Sequence, residues 1–238
     1  LYIGYYHYKY EYLCKSVYLS QQLRCLSPTN ESLRLLRKFI TEHVRELTKE
    51  AVLVESINNI PMQFKIWNNM RREKFIPVDQ PARILPNMNL FIGDIDDAAD
   101  VKNLQRLNIK AVVNLCNEEV VYDKSYYWLP CSLAKAKINQ LLLIAKDEHD
   151  FNIIPVAQKA ISFIRDILKE ENNGVLIHCY CGVNRSGAVA AAYIAGELSY
   201  TLHEAIYKLR QCRGTVLTNT DFVKQLVRHA AHQGWQLK

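Results

Sequence analysis

Cys179 follows the apolar run Val175-Leu-Ile-His178, and Arg185 closes the short segment that begins at the cysteine. A thiol at the end of a strand and a guanidinium at the end of a loop can act on one anion together. Residues 174–178 read as a buried strand, and the alanine-rich stretch from Ala188 reads as a helix. Strand, tight loop and helix N-terminus together turn backbone N–H groups towards an anion. The same N–H groups and the helix dipole favour a thiolate at Cys179. Gly182 permits a turn that a side chain would hinder. The planar fork of Arg185 suits two oxygens of one phosphate, and Ser186 can offer its hydroxyl to the sulfur. Tyr180, Cys181, Gly182, Val183 and Asn184 would line the anion with Arg185. Such a cradle suits attack on phosphorus. The competing reading is an inert, packed cysteine, which the combination of His178, Gly182, Arg185 and Ser186 disfavours.

A phosphate monoester leaves poorly as an alkoxide or phenoxide. Its leaving oxygen needs a proton from a carboxyl group on a separate segment, and the same group can later activate water against a phosphocysteine. The candidates are Asp147, Glu148 and Asp150, just before a helix expected from Ile154. Asp147 or Asp150 could instead cap that helix.

The run His-Cys-x-x-Gly-x-x-Arg-Ser-Gly at 178–187 resembles the signature of the protein tyrosine phosphatase superfamily. Its flanks resemble the dual-specificity branch. Leu85-Pro-Asn-Met-Asn-Leu-Phe-Ile-Gly93 is similar to that branch's first strand, and Arg213-Gly-Thr-Val-Leu-Thr-Asn219-Thr-Asp-Phe222 to its closing segment. The resemblance covers about residues 83–236. It implies an atypical, compact member, since the extension before the domain is too short for a rhodanese-like regulatory domain. It implies Cys179 as nucleophile, Arg185 as phosphate clamp and Ser186 as an aid to thiolate departure. It places the acid at Asp147, in Ala145-Lys-Asp147-Glu-His-Asp-Phe151-Asn152, ahead of Asp150 and then Glu148. His178 is expected to fix the loop rather than to exchange protons. No metal or cofactor is called for, because arginine and amides supply the positive field.

The implied substrates are phosphotyrosine and phosphoserine or phosphothreonine of proteins. The alternatives are a non-protein phosphate (an RNA 5′-triphosphate or a phospholipid) and a phospho-binding module without turnover. The loop interior holds no lysine, which argues against multiply phosphorylated inositides. A retained Cys179 argues against a pure binder.

The elements that must position these residues alternate. Strands are expected at Asn89–Ile92, Lys110–Leu115, Tyr127–Leu129, Leu141–Ala145 and Gly174–His178. Helices are expected at Asp97–Leu107, Ile154–Leu168, 186–198, 201–212 and 219–233. That order predicts an α/β domain with a mostly parallel central sheet flanked by helices. The domain is expected over 78–238, after a boundary marked by Pro61, Pro77 and Pro81. Residues 1–77 form an extension with an amphipathic helix over about 30–57, capped by Asn30 and packed on the main domain. Seven of the fourteen tyrosines lie in residues 1–20, where Tyr6, Tyr8, Tyr10 and Tyr12 alternate like an edge strand.

The 238 residues carry a net charge of +6. Residues 1–75 hold 12 Lys/Arg against 7 Asp/Glu, and the remainder 18 against 17. A nucleic-acid binder would carry its excess on the main domain, so no nucleic-acid partner is expected. The basic extension could dock an acidic partner or a kinase. No apolar run is long enough for a membrane span. The seven cysteines show no zinc-site spacing, which suggests free thiols in a cytoplasmic or nuclear compartment. Cys181 or Cys116 could capture an oxidised Cys179 as a disulfide, against the simpler reading of packing. The chain opens on Leu1 rather than Met, as a piece of a longer protein would.

Overall fold

The structure is a computed structural model that describes residues 42, 49–54, 56–57, 81–116, 126 and 128–235. The chain divides into two compact units, Leu1–Glu55 and Ser56–Lys238. In the first, the described residues 42 and 49–54 are helical, within the helix expected over 30–57. The tyrosine-rich start, its expected strand and the Asn30 cap lie outside the described residues.

The second unit holds a five-stranded sheet in the order β1-β2-β5-β3-β4. Its strands are β1 (Ala82–Arg83), β2 (Leu90–Gly93), β3 (Ile109–Asn114), β4 (Asn139–Leu142) and β5 (Gly174–His178). Among the described residues only β1 pairs antiparallel, at one edge. The β2–β5, β5–β3 and β3–β4 pairs are all parallel. β2 and β5 are buried throughout, as parallel strands covered on both faces must be, and their sequences are near-continuous apolar runs.

Register aligns the strand ends. Gly93 pairs with His178, His178 with Asn114, and Asn114 with Leu142. The chain therefore leaves four parallel strands at one edge of the sheet, where ligands of open α/β sheets bind. The row Phe91, Leu176 and Val112 faces a layer made with Ala98, Leu104, Leu129 and Leu133, from helices α1 (Ile95–Ala99), α2 (Val101–Arg106) and α3 (Leu129–Lys135). The alternate strand residues point the other way, where α4 (Ile154–Leu168) packs on β3 and β5, and α5 (Arg185–Glu197) on β2 and β5. α5 is buried from Arg185 to Ala195, and its alanines let the backbone approach the sheet closely. α6 (Leu202–Arg213) and α7 (Thr220–Gln233) complete the unit.

Three local readings need correction. The helix expected at Asp97–Leu107 is two helices, because Asp100 ends α1 and caps α2 by accepting from the Asn103 N–H at 3.1 Å. Of the strand expected at Tyr127–Leu129, the described residues Trp128 and Leu129 form a turn and a helix start instead. Leu129 opens α3, with Pro130 in its first turn, where a missing N–H costs nothing. The strand expected at Leu141–Ala145 lies earlier, at Asn139–Leu142, where it can pair with β3.

α6 holds its own exit. Arg210 is almost fully buried and donates to the carbonyls of Val216 at 3.1 Å, Leu217 at 3.3 Å and Ile57 at 2.6 Å. These contacts shape the 214–219 loop, which lies against the Cys179 loop. Among the described residues no helix is long and apolar enough to cross a membrane.

Candidate active site

β5 ends at His178, and Cys179 begins the turn into α5 with only 2% of its surface exposed. The Cys179 Sγ lies 3.4 Å from the Ser186 Oγ. Gly182 makes the turn at φ +69°, and a Cβ there would meet the Gly93 carbonyl oxygen at 2.7 Å and an Arg213 nitrogen at 2.6 Å. Both the positive φ and the absence of space require glycine at this position.

Outside donors take the carbonyls of the loop. The Ile95 N–H donates to the Tyr180 carbonyl at 3.2 Å, and the Leu217 N–H to the Val183 carbonyl at 3.1 Å. Among the described residues, the N–H groups of Tyr180, Cys181, Gly182 and Val183 donate to no carbonyl or side chain. A run of such donors ahead of a helix N-terminus is an anion site.

Arg185 occupies the first position of α5 and is 5% exposed. Its Nη1 donates to the Leu115 carbonyl at 3.3 Å and the Ala145 carbonyl at 3.2 Å. The guanidinium is thus pinned between the end of β3 and the segment leading to Asp147. Of the three acidic candidates, Asp147 alone reaches the loop. Its Oδ2 accepts from the Asn184 Nδ2 at 2.9 Å, and its Oδ1 from the Asn219 Nδ2 at 2.9 Å. Glu148 and Asp150 are exposed, and their side chains make no hydrogen bond to the loop among the described residues.

His178 is fully buried, and burial pushes it down to about 4 against the pull of a hydrogen bond with the Cys179 backbone. It is neutral at physiological pH, and its Nδ1 lies 3.8 Å from the Cys116 Sγ. That fits a role in fixing the loop. Burial and the neighbouring Cys179 raise the Cys181 thiol, which keeps its hydrogen. Tyr180, next to Cys179 in the chain, is exposed.

Sequence reasoning missed two groups. Arg213 is paired with Asp94 at 2.7 Å and with Asp97 at 3.0 Å, beneath the loop and against Gly182. Burial lifts the Asp97 carboxyl to about 6, although Arg213 pulls the other way. The second group is the Asn184–Asn219 pair on Asp147. Asn219 stood in the quoted closing segment, but nothing in its spacing from Asp147 shows that they meet.

A family model described as the catalytic domain of dual specificity phosphatases matches residues 90–232. Dual specificity protein phosphatase 5 of Rattus norvegicus is 31% identical over 152 residues, covering 63% of this chain and 35% of the relative. Dual specificity protein phosphatase 9 of Homo sapiens is 29% identical over 169 residues, covering 65% of this chain and 40% of the relative. The chain thus spans well under half the length of these relatives. Among solved structures, human DUSP28 superposes with a TM-score of 0.55 at 19% identity, over 66% of this chain and 98% of that one, a likeness of fold. The human tyrosine phosphatase-like serine/threonine/tyrosine-interacting protein gives 0.55 at 26% identity, over 64% and 96%.

Proposed function

This chain belongs to the dual specificity phosphatase catalytic-domain family, and from that premise we propose that it hydrolyses phosphate monoesters of phosphotyrosine and phosphoserine or phosphothreonine in proteins through a phosphocysteine. The observation that carries the reading is the buried Cys179 sulfur, 3.4 Å from a hydroxyl and opening a loop whose N–H donors have no protein partner among the described residues.

The Cys179 thiolate attacks phosphorus in line with the ester oxygen. The S–P bond forms as the P–O bond breaks, and the Asp147 carboxyl passes its proton to the leaving oxygen. Arg185 and the 180–183 N–H groups hold the equatorial oxygens, whose charge each well-placed donor stabilises by about 3 kcal/mol in sites of this kind. Water then attacks the phosphocysteine and gives its proton to the Asp147 carboxylate. The S–P bond breaks, inorganic phosphate leaves, and the Ser186 hydroxyl donates to the departing thiolate.

The test is phosphate release from phosphotyrosyl and phosphothreonyl peptides beside an RNA 5′-triphosphate and a phosphoinositide. The reading expects turnover of both peptides. Faster turnover of either non-protein substrate, or peptide binding without phosphate release, would replace it. The basic residues of the extension would add docking of an acidic partner, a kinase or phosphoprotein. Reversing Arg34, Arg37 and Lys38 should then raise KM for a phosphoprotein and spare aryl phosphate turnover; an unchanged KM would refute the docking. A nucleophilic thiolate also requires a reducing, cytoplasmic or nuclear compartment, which fractionation of the natural protein tests.

A further inference from the structure

Asp147 lies on a segment remote in sequence from Cys179, yet it must deliver a proton to an oxygen held within ångströms of that sulfur. Its placement depends on what orients its carboxyl group. Both oxygens are held, Oδ2 by Asn184 and Oδ1 by Asn219, each at 2.9 Å.

The orientation of both amides follows from their other partners. The Asn184 Oδ1 accepts from the Thr218 N–H at 2.7 Å, the Asn219 N–H at 3.0 Å and the Thr218 hydroxyl at 3.1 Å. Two backbone N–H donors must meet an oxygen, so the Asn184 NH2 group faces Asp147. The Asn219 Oδ1 accepts from the Asp221 N–H at 3.1 Å and the Phe222 N–H at 3.4 Å, capping α7. Its NH2 group must therefore also face Asp147.

Asn184 is the residue immediately before Arg185, at the N-cap position of α5, yet its side chain makes no cap bond there. Its amide is spent wholly on Asp147 and the 218–219 backbone. The loop that carries the nucleophile thus reaches out and sets the acid's position. A neutral amide fixes orientation without the strong preference for a charged carboxylate that a lysine or arginine donor would impose.

We propose that Asn184 and Asn219 form a two-amide clamp that positions Asp147 for proton transfer to the leaving oxygen. The proposal rests on the reading of Asp147 as the acid. The Asn184 side chain, expected from the sequence to line the anion, is bonded to Asp147 and the 218–219 segment instead, so in this scheme both asparagines are positioning residues.

The competing role is structural, with Asn219 as a cap and Asn184 as a loop tie. N184D and N219D keep every acceptor contact and exchange the NH2 donor to Asp147 for a carboxylate oxygen, which also adds a negative charge there. N219S keeps a capping oxygen without adding charge. Each is assayed on phenyl phosphate, a poor leaving group, and p-nitrophenyl phosphate, a good one. The clamp predicts a kcat loss of about 10- to 100-fold on phenyl phosphate, under about threefold on p-nitrophenyl phosphate, and an unchanged KM on both. In a D147A background the asparagine substitutions should cost nothing more, because they act through Asp147. Equal losses on both substrates, or losses that persist in D147A, would overturn the clamp in favour of a structural role. A D147A enzyme that loses activity equally on both substrates would instead overturn the acid assignment and the clamp with it. Should N219S unfold, N184S, which removes the donor to Asp147 without adding charge, decides the matter.

Discussion

The two halves of the site are built in different ways. The proposed nucleophilic half is one unbroken segment, from the end of β5 through the 179–184 loop into α5; Cys179, Gly182 and Arg185 are buried in it, while Tyr180 and Cys181 are exposed. Its shape is set by backbone conformation at Gly182 and by carbonyls taken up by Ile95 and Leu217. The acid half is assembled from surface segments by side chains. Asp147 meets Asn184 and Asn219, His149 meets Asp221 at 2.8 Å, and Gln225 holds the Ile153 N–H and the Phe151 carbonyl at 2.9 Å each. In the proposed mechanism, covalent chemistry falls to a contiguous local motif, and proton delivery to contacts that the fold must bring together. Damage to the first half should abolish turnover, whereas damage to the second should make turnover depend on the leaving group.

The largest expected effect is Cys179→Ser, which should lower kcat by about 10⁴-fold or more on every substrate. Phosphate release within tenfold of wild type would break the comparison outright. Asp147→Ala should cost about 10²- to 10³-fold on phenyl phosphate and far less on p-nitrophenyl phosphate, as a plot of log kcat against leaving-group acidity would register.

Gly182→Ala tests the backbone-built half. It forces a side chain into positive φ and against the Gly93 carbonyl, and should cost about 1–3 kcal/mol in urea unfolding. Activity should fall on both kinds of leaving group alike. A loss confined to poor leaving groups would show that the halves are not separate.

His178 offers a pH test of the same burial. Its folded value near 4 lies below the free value of 6.5. A depressed base contributes stability that is present above about pH 6.5 and lost as pH falls through about 4, because the unfolded chain takes the proton first. The loss should approach about 3 kcal/mol across that window, and the ring resonances of His178 should not titrate above about pH 5 in an NMR series. Titration near 6.5 would place the ring in water. Smallest of all, Gln225→Ala removes two hydrogen bonds behind the acid segment and should lower stability by about 1–2 kcal/mol, with a loss of activity biased towards poor leaving groups.

The same contrast governs what the sequence revealed. α4 and β5 occupy the spans expected of them, Ile154–Leu168 and Gly174–His178, because a 3.6-residue apolar period and a continuous apolar run are local signals. The Cys179 motif is legible for the same reason, since its parts are contiguous. Asn184 was recognised only as loop lining. Its bond to Asp147 spans 37 positions, and that from Asn219 spans 72, so neither leaves a periodic trace. The Arg213 pairs with Asp94 and Asp97 are hidden likewise, across 119 and 116 positions. Where local reading went astray, tertiary pairing or a breaker decided. The aromatic Tyr-Trp-Leu at 127–129 looked strand-like, but Pro130 and the buried pair Leu129 and Leu133 start a helix. The β4 span holds exposed Asn139 and half-buried Gln140, and owes its strand conformation to pairing with β3 rather than to an apolar pattern.

The central claim is the covalent one: phosphoryl transfer to Cys179. Wild-type protein mixed rapidly with an aryl phosphate, quenched in acid and digested for peptide mass spectrometry should carry one phosphoryl group on Cys179, and C179S none. Steady turnover with no phosphoryl group on any cysteine, or with the group on Cys181, would contradict the account.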